Sequence, residues 1–215
     1  MQQGQANPEF DPEFREQLDL LLAKRRDVRR FRRDPVDEAL LQSCLDSFAK
    51  APSVGLSEPW RIVRVTSKAN RLAALENFQR TNADALAGYS GDKSKLYAGL
   101  KLSGMQESPV QVAVFCDEET TKGAGLGAGT MPEMRRYSVV SAIMQFWLVL
   151  RANGLGLGWV SIIDPEQLKI DLNVPDQWSL VAYLCIGWPE EFSETPELEI
   201  AGWETRAEQL IVEER

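Results

Sequence analysis

Histidine is absent from this sequence of 215 residues. Its absence excludes Ser-His-Asp and Cys-His catalysis, and it removes the commonest ligand of transition metals, so we expect no metal site. Cysteine is scarce as well: Cys44, Cys116 and Cys185 lie far apart in apolar surroundings, without a Cys-x-x-Cys pair. Three such cysteines predict buried, unpaired thiols in a reducing, cytoplasmic location.

Positive charge is in deficit, because 24 Lys and Arg residues stand against 32 Asp and Glu residues, which gives a net charge of -8. General nucleic-acid binding needs a basic surface, so any bound anion must be attracted by a local basic patch. Long apolar runs are missing too: residues 139–150 are too few to span a bilayer, and residues 1–11 lack the apolar core of a signal peptide. We therefore expect neither nucleic acid nor a membrane as a partner.

The length and a hydrophobic fraction of 44% fit one domain with a buried core. We predict a flexible arm over residues 1–13, a single domain over 14–206 and a C-terminal tail over 207–215. Apolar spacing and capping residues predict helices over 14–22, 40–48 with Asp37 as N-cap, 70–86, 96–105, 135–152 and after Asp164-Pro165, and strands over 60–67, 110–116, 159–163 and 180–188. This pattern indicates an α+β domain of three layers, with a mixed sheet of four to five strands flanked by helices.

Six arginines lie within nine residues, 25–33, and Asp27 stands among them. Guanidinium groups match phosphate oxygens in a bidentate geometry, so this stretch is a candidate phosphate site. An acid among phosphate ligands suggests chemistry close to the phosphate-bearing molecule. The alternatives are a solvated basic face for the run and a simple ion pair with an arginine for Asp27.

Two glycine-rich stretches do not match the nucleotide-binding motifs. Residues 123–129 lack the Lys-Ser/Thr of a P-loop, and we interpret residues 118–131 as a mobile loop or lid. Residues 154–158 follow a helix and precede a strand, which is the reverse of the Rossmann order. We interpret Gly154 as a helix C-cap and the next two glycines as sites of tight packing. The alternative is that these small residues let the backbone approach a flat ring.

Three motifs together resemble the flavin-dependent nitroreductase family. They are Arg25-Arg-Asp-Val-Arg-Arg-Phe31, Ala51-Pro-Ser-Val-Gly-Leu-Ser-Glu-Pro-Trp60 and Gly154-Leu-Gly-Leu-Gly-Trp-Val-Ser161. Nitroreductases in general carry serine where Asp27 stands, so the aspartate points to one branch of the family. Residues 130–140, 184–189 and 201–206 also resemble that branch, and the resemblance covers roughly residues 18–206.

The resemblance implies a nitroreductase-like fold and a homodimer with FMN sites at the subunit interface, which would suit the nearly all-apolar helix over 135–152. In the branch concerned, reduced FMN reacts with O2 and is broken into 5,6-dimethylbenzimidazole, the lower ligand of vitamin B12, and erythrose 4-phosphate. An external flavin reductase would supply the reduced FMN. The alternatives are an NAD(P)H-dependent FMN nitroreductase or flavin reductase, which leaves FMN intact, and a flavin carrier without chemistry.

The resemblance also implies the site residues by position. Asp27 and Ser161 would be catalytic, the first beside the ribityl chain and the second near N5 of the flavin, where each could move a proton. The arginines would hold the phosphate or the ribityl chain, Pro52 and Ser53 would contact the ring, and Leu155 and Gly156 would lie near its N5 edge. The full set of expected FMN contacts is Arg25, Arg26, Asp27, Val28, Arg29, Pro52, Ser53, Leu102, Leu155, Gly156, Ser161 and Arg206.

Two positions depart from the family pattern. Glu58 stands where glutamine is usual before Pro-Trp, and its carboxylate would pair with an arginine, or weaken flavin binding if it faced the ring. Leu198 stands where ordinary nitroreductases often place a lysine, which leaves Arg206 as the main basic residue of the C-terminal segment.

Overall fold

The computed structural model describes residues 10–215, so most of the expected arm over 1–13 lies outside the described residues. The described part contains seven α-helices, four β-strands and two short 3-10 helices, Asp46–Lys50 and Val54–Leu56. The helices are α1 (Pro12–Lys24), α2 (Glu38–Leu45), α3 (Lys68–Ala87), α4 (Gly91–Gly99), α5 (Met134–Ala152), α6 (Pro165–Asp171) and α7 (Glu197–Ile200). The strands are β1 (Trp60–Arg64), β2 (Val110–Asp117), β3 (Gly156–Val160) and β4 (Trp178–Gly187).

Side-chain caps fix where several helices begin. The Asp37 side chain accepts the Leu40 N–H at 2.9 Å before α2. The Asp164 side chain accepts the N–H groups of Glu166 and Gln167, both at 3.1 Å, before α6. A carboxylate at the N-cap satisfies backbone donors that have no partner within the helix. Both predicted caps are therefore confirmed.

The four strands form one sheet in the order β1-β2-β4-β3, and every neighbouring pair is antiparallel. The number of strands agrees with the prediction, but the mixed sheet that we expected is not found among these strands. The parallel component is a single isolated bridge, between Asp27 and Leu157. Strand direction depends on how the helical connections cross the sheet, and apolar spacing within a strand carries no information about that.

Alternate side chains of β2 serve two separate cores, one on each face of the sheet. Val112 and Val114 pack in the cluster that includes the buried face of α5. Ala113 and Phe115 belong to the opposite cluster, which α3 and α6 cover. The helix–sheet–helix arrangement confirms the predicted three-layer α+β architecture.

Helix α5 is the central helix of one layer, and it ends as the glycine pattern predicts. Gly154 has a φ of +77°, and its N–H bonds to the Arg151 carbonyl at 3.1 Å. The Leu155 N–H bonds to the Leu150 carbonyl at 2.9 Å. These two bonds are the Schellman arrangement that closes a helix with glycine, so the C-cap interpretation of Gly154 is confirmed.

Several predicted boundaries are wrong. The strand expected over 60–67 is β1, which ends at Arg64, and the helix expected over 40–48 passes into the 3-10 helix Asp46–Lys50. The helix expected over 96–105 is α4, which spans Gly91–Gly99, because the chain after it leaves the helix to pack Gly104 against the Phe31 ring. The strand expected over 159–163 is β3, which spans Gly156–Val160. Glycine has a low propensity for β-strands, so propensity did not predict that residues 156–158 belong to this strand.

The three cysteines are free and buried, as predicted. Burial raises the pKa of the Cys116 and Cys185 thiols to about 12 in each case. Within residues 10–215, no helix has the length and apolarity needed to cross a membrane.

Gly158 supplies a test of the fold, because a Cβ added there would lie 2.1 Å from the Val28 carbonyl oxygen. We expect Gly158→Ala to lower the free energy of unfolding by about 2 kcal/mol or more, since the obstacle is backbone. Gly99 is the matched control: a Cβ added to it would have nothing within 4 Å, and Gly99→Ala should stabilise by about 0.4–1 kcal/mol. Urea unfolding of both variants measures the difference, and an equal stability of the two would contradict it.

Candidate functional site

Residues 25–29, which we call the arginine segment, lie along the edge strand β3. The Val28 N–H donates to the Leu157 carbonyl at 2.9 Å. The Trp159 N–H donates to the Asp27 carboxylate at 2.8 Å. The segment therefore acts as a short additional strand that covers the outer edge of the sheet.

Asp27 is held by two different partners, one on each carboxylate oxygen. Oδ1 accepts the Trp159 N–H, and Oδ2 accepts Nε of Arg29 at 2.8 Å. The Asp27 side chain stays 30% exposed, so it can still reach a ligand. The ion pair that we considered as the alternative is present, and a carboxylate with one bond on each oxygen keeps further acceptor capacity.

Arg25, Arg26 and Arg206 form a cluster of positive charge. Burial lowers the pKa of Arg25, and its neighbours Arg26 and Arg206 lower that pKa further. Burial also lowers the pKa of Arg26, and the next cause is again Arg206. Like charges brought together in this way disfavour the protonated form, and an anion between them would relieve that cost.

The same cluster offers donors for such an anion. Nε of Arg26 is buried and has no hydrogen-bond partner within the described part of the chain. The Arg25 guanidinium lies 4.5 Å from the centre of the Trp147 ring, which fixes its position by a cation–π contact. A buried donor without a partner, on an arginine whose pKa the charge of Arg206 also lowers, fits a phosphate group.

Arg29, Arg30 and Arg32 are bound to other groups of their own chain. Arg29 bonds to Asp27 and donates to the Lys101 carbonyl at 3.1 Å. Arg30 pairs with Glu197. Arg32 pairs with Asp34 at 3.5 Å and lies over the Trp188 ring. Arg26 is bound to its own chain as well, since Nη1 donates to the Ala23 and Arg25 carbonyls at 2.7 Å each and Nη2 donates to the Glu194 carbonyl. Only its Nε has no partner within the described residues.

The glycines at 156 and 158 admit the arginine segment. A Cβ on Gly156 would lie 2.8 Å from Cγ2 of Val28 and 2.9 Å from Cγ of Pro189. The packing interpretation of these glycines is confirmed, and the surface that they meet is protein. The Leu155 side chain is fully buried in the core, and its expected place near the N5 edge of a flavin ring stays a prediction. Gly156 is covered by Val28 and Pro189, and its expected place near the ring likewise stays a prediction.

The structure brings the two expected catalytic residues into the same neighbourhood. Ser161 is exposed and directly follows β3. It lies two residues beyond Trp159, whose N–H binds Asp27, so about 7 Å of strand separates the two positions. Leu102 joins this region, because it packs against the same core cluster as Val28 and follows Lys101, the acceptor for Arg29.

Pro52 and Ser53 lie elsewhere on the same chain. The Ser53 hydroxyl accepts the Glu58 N–H at 3.1 Å, and the next residue, Val54, donates its N–H to Ser138 at 3.0 Å. Ser138 is nine residues before Trp147 on α5, a distance of about 14 Å along the helix. Within one chain, Pro52 and Ser53, the expected ring contacts, are therefore separated from the arginine cluster along the length of α5.

Glu58 pairs with Lys122 of the glycine-rich loop, 118–131, so the expected arginine partner is wrong. This loop packs on the turn that carries Ser53: a Cβ on Gly123 would lie 2.4 Å from the Gly55 carbonyl oxygen. The loop is thus in contact with the turn in this structure, and its function as a lid remains a prediction.

A groove of about 590 Å³ runs between the arginine segment and residues 191–200. Asp27, Val28 and Arg29 line one wall, and Glu191 and Glu197 are among the residues of the other. Sequence reasoning missed the contacts of Trp147, Lys101 and Glu197, because each is distant in sequence from the arginine it binds. No cluster of three or more metal-ligating side chains occurs within residues 10–215.

The Nitroreductase family model matches residues 22–188 of this chain. A 5,6-dimethylbenzimidazole synthase from Rhodospirillum rubrum is 53% identical over 205 residues, covering 95% of this chain and 97% of that protein. A protein of the same name from Rhodobacter capsulatus is 44% identical over 195 residues, covering 91% of this chain and 94% of its own length. An NADH dehydrogenase from Thermus thermophilus is 30% identical, covering 78% of this chain and 84% of that protein.

Solved structures show the same fold at lower identity. Iodotyrosine deiodinase, in a structure bound to FMN and 3-iodo-L-tyrosine, superposes with a TM-score of 0.74 at 21% identity. The match covers 92% of this chain and 99% of that one. A nitroreductase family protein from Clostridium novyi superposes with a TM-score of 0.62 at 19% identity, over 80% of this chain and 85% of its own.

The pairing of Glu58 generates a prediction about the departure from the family pattern. We expect Glu58→Gln to leave the affinity for FMN unchanged, because the carboxylate faces Lys122. Loss of an exposed ion pair should cost less than about 1 kcal/mol of unfolding free energy. Flavin fluorescence titration and urea unfolding measure the two quantities. Lys122→Gln is the control, since it removes the same pair from the other side, and a marked gain in FMN affinity in Glu58→Gln alone would show that the carboxylate faces the ring.

Proposed function

Because this chain belongs to the Nitroreductase family, we propose that it acts as a 5,6-dimethylbenzimidazole synthase, which breaks reduced FMN apart with O2. The products are 5,6-dimethylbenzimidazole and erythrose 4-phosphate. The support from comparison is an identity of 53% to a protein of that name over nearly the whole of both chains. The observation in the structure that carries the proposal is the arginine cluster with its orphaned Arg26 Nε, next to the Asp27 carboxylate.

The cluster would hold FMN by its phosphate. Arg25, Arg26 and Arg206 supply guanidinium donors that match phosphate oxygens, and the overall acidity of the chain leaves this patch as a local attraction for a dianion. When bound, reduced FMN supplies the electrons and the ring carbons of the product. The chain itself contributes the binding of the tail and the placement of proton-transferring groups near it.

Asp27 would act on the ribityl chain, one end of which is fixed by the phosphate. Its carboxylate is oriented in advance by Trp159 and Arg29, and its remaining lone pairs can accept a hydroxyl hydrogen or a proton. Ser161 would offer a hydroxyl that donates and accepts a proton close by. Neither function requires histidine, which the chain lacks.

A homodimer would complete the site. Pro52 and Ser53 of one copy would contact the ring held by the arginines of its partner, which agrees with their separation along α5 within one chain. Helix α1 has no buried residue although it exposes Phe14 and Leu18, and such an apolar surface is typical of an interface. Reduced FMN would come from a separate flavin reductase in the cytoplasm, since nothing in the proposed reaction regenerates it.

The reaction itself is the first test. The protein is incubated with FMN, an external flavin-reducing system and air, and we expect 5,6-dimethylbenzimidazole to accumulate as FMN disappears. Mass spectrometry of the product, with an anaerobic sample as control, measures both changes. In a sample without that reducing system, oxidation of NAD(P)H with FMN left intact would instead support the reductase alternative, for which the 30% identity to an NADH dehydrogenase is the basis. Survival of reduced FMN in air would support a carrier.

A substitution tests the proposed function of Asp27. Asn at this position can still accept the Trp159 N–H but cannot accept a proton, so we expect Asp27→Asn to bind oxidised FMN and to lose product formation by roughly 100-fold or more. Product is measured by mass spectrometry and binding by fluorescence. The matched control is Asp34→Asn, which removes a surface partner of Arg32 and should leave product formation unchanged. If Asp27→Asn keeps both binding and product, Asp27 only orders the arginines.

A further inference from the structure

The C-terminal segment, residues 197–206, is attached to the rest of the molecule at two points. The first is the pair between Glu197 of α7 and Arg30. The second is Trp203, which lies against Tyr97 of α4 and Tyr89 of the short link before α4. Between them the chain closes α7: the Gly202 N–H bonds to the Glu199 carbonyl at 3.0 Å, and the Trp203 N–H bonds to the Leu198 carbonyl at 2.8 Å.

Trp203 sits in an aromatic cluster. Its ring meets Tyr89 edge-on, with centroids 5.5 Å apart and planes at 85°, and it meets Tyr97 at 6.1 Å and 62°. Tyr97 is 6% exposed, and its hydroxyl donates to Asn82 at 2.8 Å, so the receiving surface is itself fixed. Edge-to-face contacts of this kind stabilise a docked segment beyond the area they bury.

Lys93 contacts both the ring and the backbone of Trp203. Its ammonium group lies 4.2 Å from the centre of the Trp203 ring and donates to the Trp203 carbonyl at 2.8 Å. Both the side chain and the backbone of Trp203 are therefore held. The chain that follows has a defined starting point, even though it makes no helix or strand.

Arg206 is three residues beyond this anchor, within about 10 Å of extended chain. Its positive charge lowers the pKa of both Arg25 and Arg26, whereas Glu194 and Glu199, earlier in the chain, raise the pKa of Arg26. Arg206 is itself exposed, so its own surroundings do little to place it. Trp203, the anchored residue three positions earlier in the chain, would then determine where Arg206 lies.

We infer that Trp203 is a positioning residue for the phosphate site. Its packing against Tyr89, Tyr97 and Lys93 holds the C-terminal segment so that Arg206 completes the arginine cluster. This inference rests on the proposed function only in that the cluster binds the FMN phosphate. It assigns a function to three residues of α4 and of the α3–α4 region that lie outside the motifs of the site. The inference also predicts that loss of Trp203 weakens the binding of flavins that carry the phosphate and does not weaken the binding of flavins that lack it.

The test compares the dissociation constants of oxidised FMN and of riboflavin for the full chain. Loss of a charge-assisted bond to phosphate should raise the FMN constant about tenfold in Arg206→Ala, with riboflavin unchanged. Trp203→Ala should raise the FMN constant by a similar factor and also spare riboflavin. The double variant should be no weaker than either single variant, because the two residues act through one contact. Trp203→Phe, which keeps an aromatic ring in the cluster, should restore most of the FMN affinity.

Several outcomes would overturn the inference. An unchanged FMN constant in Trp203→Ala would do so, as would additive effects in the double variant. Equal losses for FMN and riboflavin would show that Trp203 only supports the fold, and an unaffected FMN constant in Arg206→Ala would remove the phosphate contact itself. A failed product assay with these binding results intact would instead contradict the synthase proposal and leave the function of Trp203 standing.

Discussion

The close contact of the arginine segment with strand β3 is the constraint on which the candidate site depends. Gly158 admits the Val28 carbonyl, and the Leu157 carbonyl accepts the Val28 N–H. An uncovered edge strand would present free N–H and C=O groups to other chains, and here the covering segment removes that liability. The same segment carries Asp27 and the first arginines of the site. The fold and the site therefore depend on the same backbone contact. The glycines of β3 are required for the fold, and the site depends on them through it.

The distribution of charge follows from this arrangement. An acidic chain could neutralise every arginine of the run, and it does so for Arg29, Arg30 and Arg32, each of which has a carboxylate partner. Arg25 and Arg26 are instead half-buried near Arg206, where their pKa values fall because like charges and desolvation oppose protonation. Asp27 offsets part of the charge of Arg25, and Glu194 and Glu199 offset part of that of Arg26. A bound anion would stabilise the charge that remains.

Local signals in the sequence predicted the local parts of the fold. Asp37 and Gly154 marked helix ends correctly, because a cap depends on residues within one turn. The antiparallel direction of the strands and the start of β3 depend on contacts between residues that are distant in sequence. Gly156 is an example, because its place in the strand is explained by its packing against Val28. The same limit applies to the site: its motif residues could be named from resemblance, but the attachment of Arg206 through Trp203 could not, since Tyr89 and Tyr97 are more than 100 positions away.

Asp27 shows how one residue can hold the fold and still be available for chemistry. A serine at this position could accept the Trp159 N–H, but it could not also form an ion pair with Arg29. The aspartate makes both contacts and leaves lone pairs on each oxygen, so its carboxylate is fixed before any ligand arrives. A charged group that needs no reorganisation at the moment of reaction is more effective than one that must be oriented. The structural bonds of Asp27 therefore strengthen the case for its chemical function, because they provide the orientation which that function requires.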